Sequence, residues 1–255
     1  MRNVLIFLLS LFSLLCNGQS PKLFTTDKEL SSSLINQIYQ DRNGFIWIAT
    51  EDGLNRYDGA KFTIYKHEPN NEHSLAHNFV RTVFEDSKGH LLIGTYIGIQ
   101  MYDPATDNFT PLAKLEDTGE TLESNINSFI ERKNGEIWVS GNVLCKLNIK
   151  DHLLTVRKVD IAVTSPGSLF EDKKQNVWMA KGEEGVYQLT PDNQLTLHLS
   201  KDNGYVKSIC EDQRGNIYVG SIRKGLFIYD KECKTFVPVA LKEQGELPVC
   251  FLYSG

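Results

Sequence analysis

Basic charge is in short supply: 27 Lys and Arg stand against 32 Asp and Glu in 255 residues. A mildly acidic surface offers no electrostatic footprint for a phosphate backbone or an anionic lipid, which excludes nucleic acid as a partner. Long apolar runs are missing beyond the N-terminus, so residues 19–255 predict nothing that holds the chain in a bilayer. Cysteine is sparse, and its spacing makes no disulfide framework. No HExxH, CxxC, GxSxG or Walker-type loop occurs, so the motif-borne chemistries have no foothold, and neither a cofactor nor a resident metal is predicted. With 41% apolar and 23% charged residues, what remains is ample for a core of one large domain or two small ones.

The N-terminus differs from the rest. Met1-Arg2-Asn3 is followed by apolar residues from Val4 to Leu15 and then by Cys16-Asn17-Gly18-Gln19. A basic start, a short apolar stretch and a small residue at Gly18 predict a signal peptide over 1–18, cleaved before Gln19, and hence an exported, periplasmic chain. Lipidation at Cys16 is the competing reading, but Leu15 stands where such signals carry a small residue. Cys145, Cys210, Cys233 and Cys250 are left in an oxidising compartment, where they read as buried thiols in apolar strands.

What the sequence does have is a repeat. "YQDRNGFIWIAT", "FEDSKGHLLIGT", "IERKNGEIWVSG", "FEDKKQNVWMAK" and "CEDQRGNIYVGS" align, with turn positions at Gly44, Gly89, Gly135, Gln175 and Gly215, spaced 45, 46, 40 and 40 residues apart. Three residues beyond each turn stand Trp47, Leu92, Trp138, Trp178 and Tyr218. A period near forty made of short strands predicts an all-β fold, a β-propeller of four-stranded antiparallel blades. The first unit resolves into strands at 35–40, 45–50, 54–57 and 61–65, separated by Asp-x-x-Gly, Asp-Gly and Asp-Gly turns.

In Phe45-Ile46-Trp47-Ile48-Ala49 both faces of the strand are apolar, which implies cover on both sides. Blades stacked around an axis supply that cover, so the recurring aromatic ring belongs between neighbouring blades. Unit three lacks a Gly near Leu144, predicting a shortened second connection. Unit four has Gln175-Asn176 for the turn Gly, with Asn able to adopt the left-handed conformation. Five units, near 33–66, 77–112, 124–160, 165–200 and 204–240, leave the ring incomplete, and 246–255 reads as the first strand of a sixth. Lys22-Leu23-Phe24-Thr25 reads as an outer strand able to clasp a last blade. The sequence therefore predicts a chain that continues past Gly255, or a truncated product.

From Ile35 to Gly89, "DxxGxxWxxT", "DGLNRYD" and "F...Y.H.P" resemble the two-component regulator propeller repeat, a resemblance that extends over residues 20–240. It implies the periplasmic part of a hybrid two-component sensor that detects oligosaccharides and feeds a phosphorelay. The membrane helix and histidine kinase would lie outside this sequence, and a homodimer would form in the full receptor. This segment itself would be non-enzymatic. The other readings are an exported protein-interaction propeller, a truncated non-signalling fragment, and a propeller-borne lyase or hydrolase.

Candidate chemistry is thin. His67, His73 and His77 share one loop without a helix to fix their spacing, which favours a solvated loop over a metal site. Glu85-Asp86, Glu171-Asp172 and Glu211-Asp212 recur at the turns and read as turn-formers. The connections after each second strand share little, and a sugar needs polar groups and an aromatic platform. Tyr96, Asn142, Lys181, Arg223 and Lys224 are the ligand-binding candidates.

Overall fold

Each repeat opens on a turn whose chemistry is visible in the bonds it makes. Asp41 accepts through Oδ1 from the backbone N–H groups of Asn43 and Phe45, both at 3.0 Å, while Gly44 takes φ +87° to complete the reversal. Gly89, Gly135 and Gly215 hold the same conformation at +92°, +82° and +80°. In the fourth unit Gln175, not Asn176, is left-handed, at +66°. Asn176 instead turns its amide onto Asp172 Oδ2 at 2.7 Å.

The computed structural model describes residues 23–26, 29–199 and 204–239. The predicted signal peptide, Cys16, Cys250 and the strand expected over 246–255 lie outside the described residues. Among the described residues there is no helix, and the strands form five blades of an unclosed β-propeller. Blade 1 is β1 (Ile35–Gln40), β2 (Ile46–Thr50), β3 (Gly53–Tyr57) and β4 (Phe62–Tyr65). Blade 2 is β5 (Val80–Glu85), β6 (Leu91–Thr95), β7 (Ile99–Asp103) and β8 (Asn108–Phe109). A short β9 (Lys114–Leu115) then runs parallel to the outer strand of blade 3, which comprises β10 (Ser128–Glu131), β11 (Ile137–Ser140), β12 (Leu144–Lys150) and β13 (Leu153–Lys158). That sheet therefore has five strands where four were expected. Blade 4 is β14 (Leu169–Glu171), β15 (Val177–Lys181), β16 (Gly185–Leu189) and β17 (Leu195–Leu199); blade 5 is β18 (Val206–Glu211), β19 (Ile217–Ser221), β20 (Gly225–Asp230) and β21 (Thr235–Pro238). Every blade is an antiparallel meander, and the first strands of successive blades are neighbours around the axis.

The Trp residues lie between blades. Trp47 is 1% exposed and stacks on Tyr65 of its own blade and, edge to face, on Tyr102 of blade 2 at 4.9 Å. Trp178 meets Tyr229 and Phe236 of blade 5, and Trp138 packs with Leu169, Val177 and Met179 of blade 4. The turn Asp also accepts the indole N–H six residues on, Trp47 to Asp41 at 2.8 Å and Trp178 to Asp172 at 2.9 Å. One carboxylate thus sets the turn and satisfies the ring's buried donor. Unit three has Arg132 at the Asp position, and Glu136 accepts from Trp138 instead, at 3.0 Å.

The Glu that precedes the turn in blades 2 to 5 has a separate task. Glu85, Glu131, Glu171 and Glu211 accept the backbone N–H of Arg42, Ser87, Lys133 and Lys173 in the preceding blade, at 2.6–3.0 Å. Asp forms the turn; Glu clasps blade to blade. Basic side chains in those turns reinforce the clasp, as Lys133 and Lys173 donate to the carbonyls of Asp172 and Asp212 at 3.0 Å. Between blades 1 and 2 a further knot joins Arg56, Tyr65, Tyr102 and Asp107: Arg56 and both phenols donate to Asp107 Oδ1. Burial alone would raise the Asp107 pKa, but these donors and the Arg56 charge outweigh it and lower it.

Other expectations are revised. Leu23 to Thr25 form no strand; the Phe24 ring packs on Tyr57 and Phe62. The connection between β11 and β12 is not shortened: Ser140 pairs with Leu144 across three residues, as Lys181 pairs with Gly185 and Ser221 with Gly225. Cys145 is buried, its thiol pushed up to about 11 by desolvation, but Cys210 is only half-buried and Cys233 is exposed in the turn after β20. All three are free thiols.

Two stability predictions follow from this packing. Trp47→Ala should cost about 3–5 kcal/mol in urea unfolding, whereas Tyr218→Ala, at the half-exposed face of blade 5, should cost about 1–2 kcal/mol. Equal losses would contradict the blade-filling role. Glu136 is lowered from 4.5 to about 2, chiefly by the Lys146 hydrogen bond, with the Trp138 and Asn134 donors adding to it. Its contribution is therefore present above about pH 4.5 and lost as the pH falls through about 2. Because the side chain is 35% exposed, the gap between wild type and Glu136→Gln should stay under about 1 kcal/mol at pH 7 and close towards pH 2.

Candidate functional site

Strand direction alternates in a meander, so each blade puts its Asp-x-x-Gly turn and its last hairpin at one rim of the ring. The second hairpin and the connection to the next blade fall at the other rim. The first rim repeats its chemistry from blade to blade. The second does not, and all five sequence candidates lie there.

The hairpins of this second rim are fixed from beneath. Thr50 Oγ1 donates to the Gly53 carbonyl at 2.8 Å and Thr95 Oγ1 to that of Gly98 at 3.1 Å, both side chains fully buried. Three residues beyond Trp138 and Trp178 the hydroxyl gives way to Gly141 and Lys181. Gly141 is required by close approach: a Cβ there would stand 2.4 Å from Ser124 Oγ and 2.8 Å from the Asn125 carbonyl.

On blade 2, Tyr96 is 53% exposed, its ring 5.5 Å from that of His77 and 6.1 Å from that of Phe79. This is an open aromatic patch of the kind on which an apolar sugar face can rest. Asn142, on blade 3, borders a groove of about 660 Å³ that also carries Glu120, Glu123, Ser124 and Lys158. Its backbone is committed, the N–H to Ser124 Oγ at 2.9 Å and the carbonyl to Ser165 at 2.9 Å. Lys181 and Arg223 come together on adjacent hairpins of blades 4 and 5. Each cation has a carboxylate: Lys181 pairs with Glu184 at 2.7 Å and Arg223 with Glu183 at 3.7 Å. Lys224 bonds through its backbone N–H to Ser221 Oγ. Tyr96 and Asn142 occupy the same rim as these cations.

Sequence reasoning missed a cleft of about 700 Å³ at the outer edge between the connections of blades 1 to 3. It is bordered by His67, Glu72, Lys114 and His152 over an apolar floor of Ile97 and Leu112. Only the packing of two connections against β13 creates it, so no local motif announces it. The three loop histidines are spread apart: His67 Nδ1 meets the Leu75 carbonyl at 2.9 Å, His73 Nδ1 the Phe109 carbonyl at 3.2 Å, and His77 Nδ1 accepts from the Phe79 N–H at 2.9 Å.

Comparison with known proteins finds the repeat in three of the five blades. The family model described as the two component regulator propeller matches residues 29–52, 74–96 and 200–223, the entry to blades 1, 2 and 5. Those three segments are similar to two-component regulator propeller repeats. Among curated proteins, histidine kinase P4 of Formosa agariphila is 39% identical over 83 residues, 30% of this chain and 6% of that kinase. Among solved structures, the extracellular domain of BT4673 from B. thetaiotaomicron, a one component system, aligns with TM-score 0.69 and 19% identity, covering 88% of this chain and 34% of that one. The extracellular domain of the hybrid two component system BT3049 from the same organism gives 0.55 and 18%, covering 89% and 37%. A virginiamycin B lyase from Staphylococcus aureus aligns with TM-score 0.67 at 12% identity, over 93% of this chain and 78% of that enzyme. At such identities the structures establish the propeller fold alone. The chain spans about a third of the length of the two solved extracellular domains and a small part of the curated kinase.

The propeller thus has one repeated rim and one variable rim. Gly141→Ala, which collides with the backbone of the 110–127 connection, should cost about 1–3 kcal/mol in a urea melt. Arg223→Ala, removing an exposed pair, should change stability by less than about 0.5 kcal/mol.

Proposed function

We propose that this chain is the ligand-sensing propeller of a hybrid two-component sensor, exported to the periplasm. It binds an oligosaccharide on its variable rim and passes that occupancy to kinase parts of a longer protein. The observation that carries this reading is the contrast between the rims. Turn residues, the Asp acceptors and the Glu clasps repeat on one side, while the connections carrying Tyr96, Asn142, Lys181, Arg223 and Lys224 differ from blade to blade. A scaffold that keeps its packing chemistry constant and varies only one rim is built to present a binding surface.

The polarity of the rim supports a saccharide over a protein partner, because Tyr96 supplies a ring face on blade 2 and Asn142 and Lys181 supply hydrogen-bonding groups on blades 3 and 4 of the same rim. The segment acts by binding and not by turnover. Its likeness to extracellular domains of one- and two-component systems and to a histidine kinase supports that reading.

The test is calorimetric titration of the chain with a panel of neutral and acidic oligosaccharides. At least one should bind, with Tyr96→Ala or Arg223→Ala weakening it about tenfold while the melting temperature holds. Absence of binding across the panel, or steady hydrolysis or elimination of a saccharide, would overturn the reading. Fractionation of the native envelope adds an independent check: the sensor reading requires a membrane-bound product several times larger than 28.9 kDa.

A further inference from the structure

We propose that the axial channel of the propeller is a binding site for a small oxyanion, a carboxylate or sulfate group. Successive side chains of a strand point to opposite sides, so each inner strand lends its first residues to the axis. The cavity they enclose, about 310 Å³, receives Arg81 from blade 2 and Lys207 from blade 5, with hydroxyls from Thr82, Ser128, Ser168 and Ser208. Among the described residues, no Asp or Glu borders it. In a chain whose net charge is −5, this is a local concentration of positive charge and hydrogen-bond donors.

The polar groups there fall into two kinds. Some are spent on holding blades together: Asn36 donates to the Val80 carbonyl at 2.8 Å, and Gln37 accepts from the Val83 N–H at 2.7 Å. Others are positioned but unsatisfied. The Arg81 guanidinium donates from Nη1 to Asn127 Oδ1 at 2.7 Å and lies over the Phe79 ring, yet its Nε is buried without a hydrogen-bond partner. Ser208, 8% exposed, has its Oγ in the same condition at the same cavity. Buried polar groups without partners are destabilising, and two at one cavity beside a second cation point to a ligand that accepts hydrogen bonds and carries negative charge. A planar or tetrahedral oxyanion accepts from a guanidinium and a hydroxyl together; a cation or an apolar ligand does neither. The channel opens beside the variable rim, where Arg81 lies over the Phe79 ring that also meets Tyr96, but it is lined by the inner strands and not by the second hairpins, so neither assignment depends on the other.

The experiment is titration calorimetry of the full chain with sodium D-glucuronate and with sodium sulfate, using D-glucose and sodium chloride at matched ionic strength as controls. One or both anions should bind while the controls stay silent. Lys207→Gln should weaken binding about tenfold and Ser208→Ala about threefold, both variants keeping the wild-type melting temperature. Glucuronate binding identifies a sugar carboxylate as the source and sulfate binding a sulfate group, and either supports the site. A folded wild type that binds neither anion, or anion affinity unchanged in both variants, overturns it.

Discussion

A four-stranded sheet that is apolar on both faces cannot stand alone in water, and the structure depends on how that constraint is met. Each blade lends one face to its successor, and the interface is filled by the residue three beyond the turn, Trp in blades 1, 3 and 4 and Leu92 in blade 2. The ring brings its own difficulty when it is Trp, because a buried indole N–H needs an acceptor. The turn Asp supplies it without leaving its backbone contacts, so turn formation and core satisfaction are one requirement on one residue. The third blade tests the logic. Having lost the Asp to Arg132, it recovers the acceptor through Glu136, and Arg132 moves over the Trp138 ring at 4.6 Å.

Stacking of identical interfaces has a consequence at the ends of the array. The row Cys210, Tyr218, Ile228 and Val237 of blade 5 corresponds to the Tyr39, Trp47, Arg56 and Thr63 row of blade 1, and all four of its residues remain half-buried. On the far side of blade 1, Ile38 is 62% and Ile64 45% exposed. These are the faces that neighbours cover elsewhere in the array, and their wetness is what an unclosed ring predicts physically. The rim that varies and the unpartnered Arg81 Nε and Ser208 Oγ of the channel are, by contrast, groups the joining of blades does not use. They are free to carry function.

Much of this was legible from residues alone. The period, the strand limits of the first unit, the turn glycines and the inter-blade place of Trp47, Trp138 and Trp178 all follow from local chemistry repeated at a fixed interval. The errors share a cause. Asn176 looked like the left-handed residue because its type permits it, but its amide is bound to Asp172, so the conformation falls to Gln175. The Glu-Asp pairs looked like one turn signal, although their two carboxylates act on different blades. Cys233 read as a strand residue and is an exposed turn residue.

The candidate surfaces divide the same way. Variation among the second hairpins singled out Tyr96, Asn142, Lys181, Arg223 and Lys224, and spacing along the chain cannot say that Lys181 and Arg223 meet on adjacent hairpins while Tyr96 joins His77 and Phe79. The channel and the outer cleft could not be read at all from one strand, since each is assembled from segments of several blades spread widely through the sequence. What the sequence by itself determined is the blade, because turn chemistry and alternating burial act over a few residues. What only the tertiary structure decided is which polar groups are consumed in joining blades and which are left facing a cavity, because that depends on partners brought together by the ring.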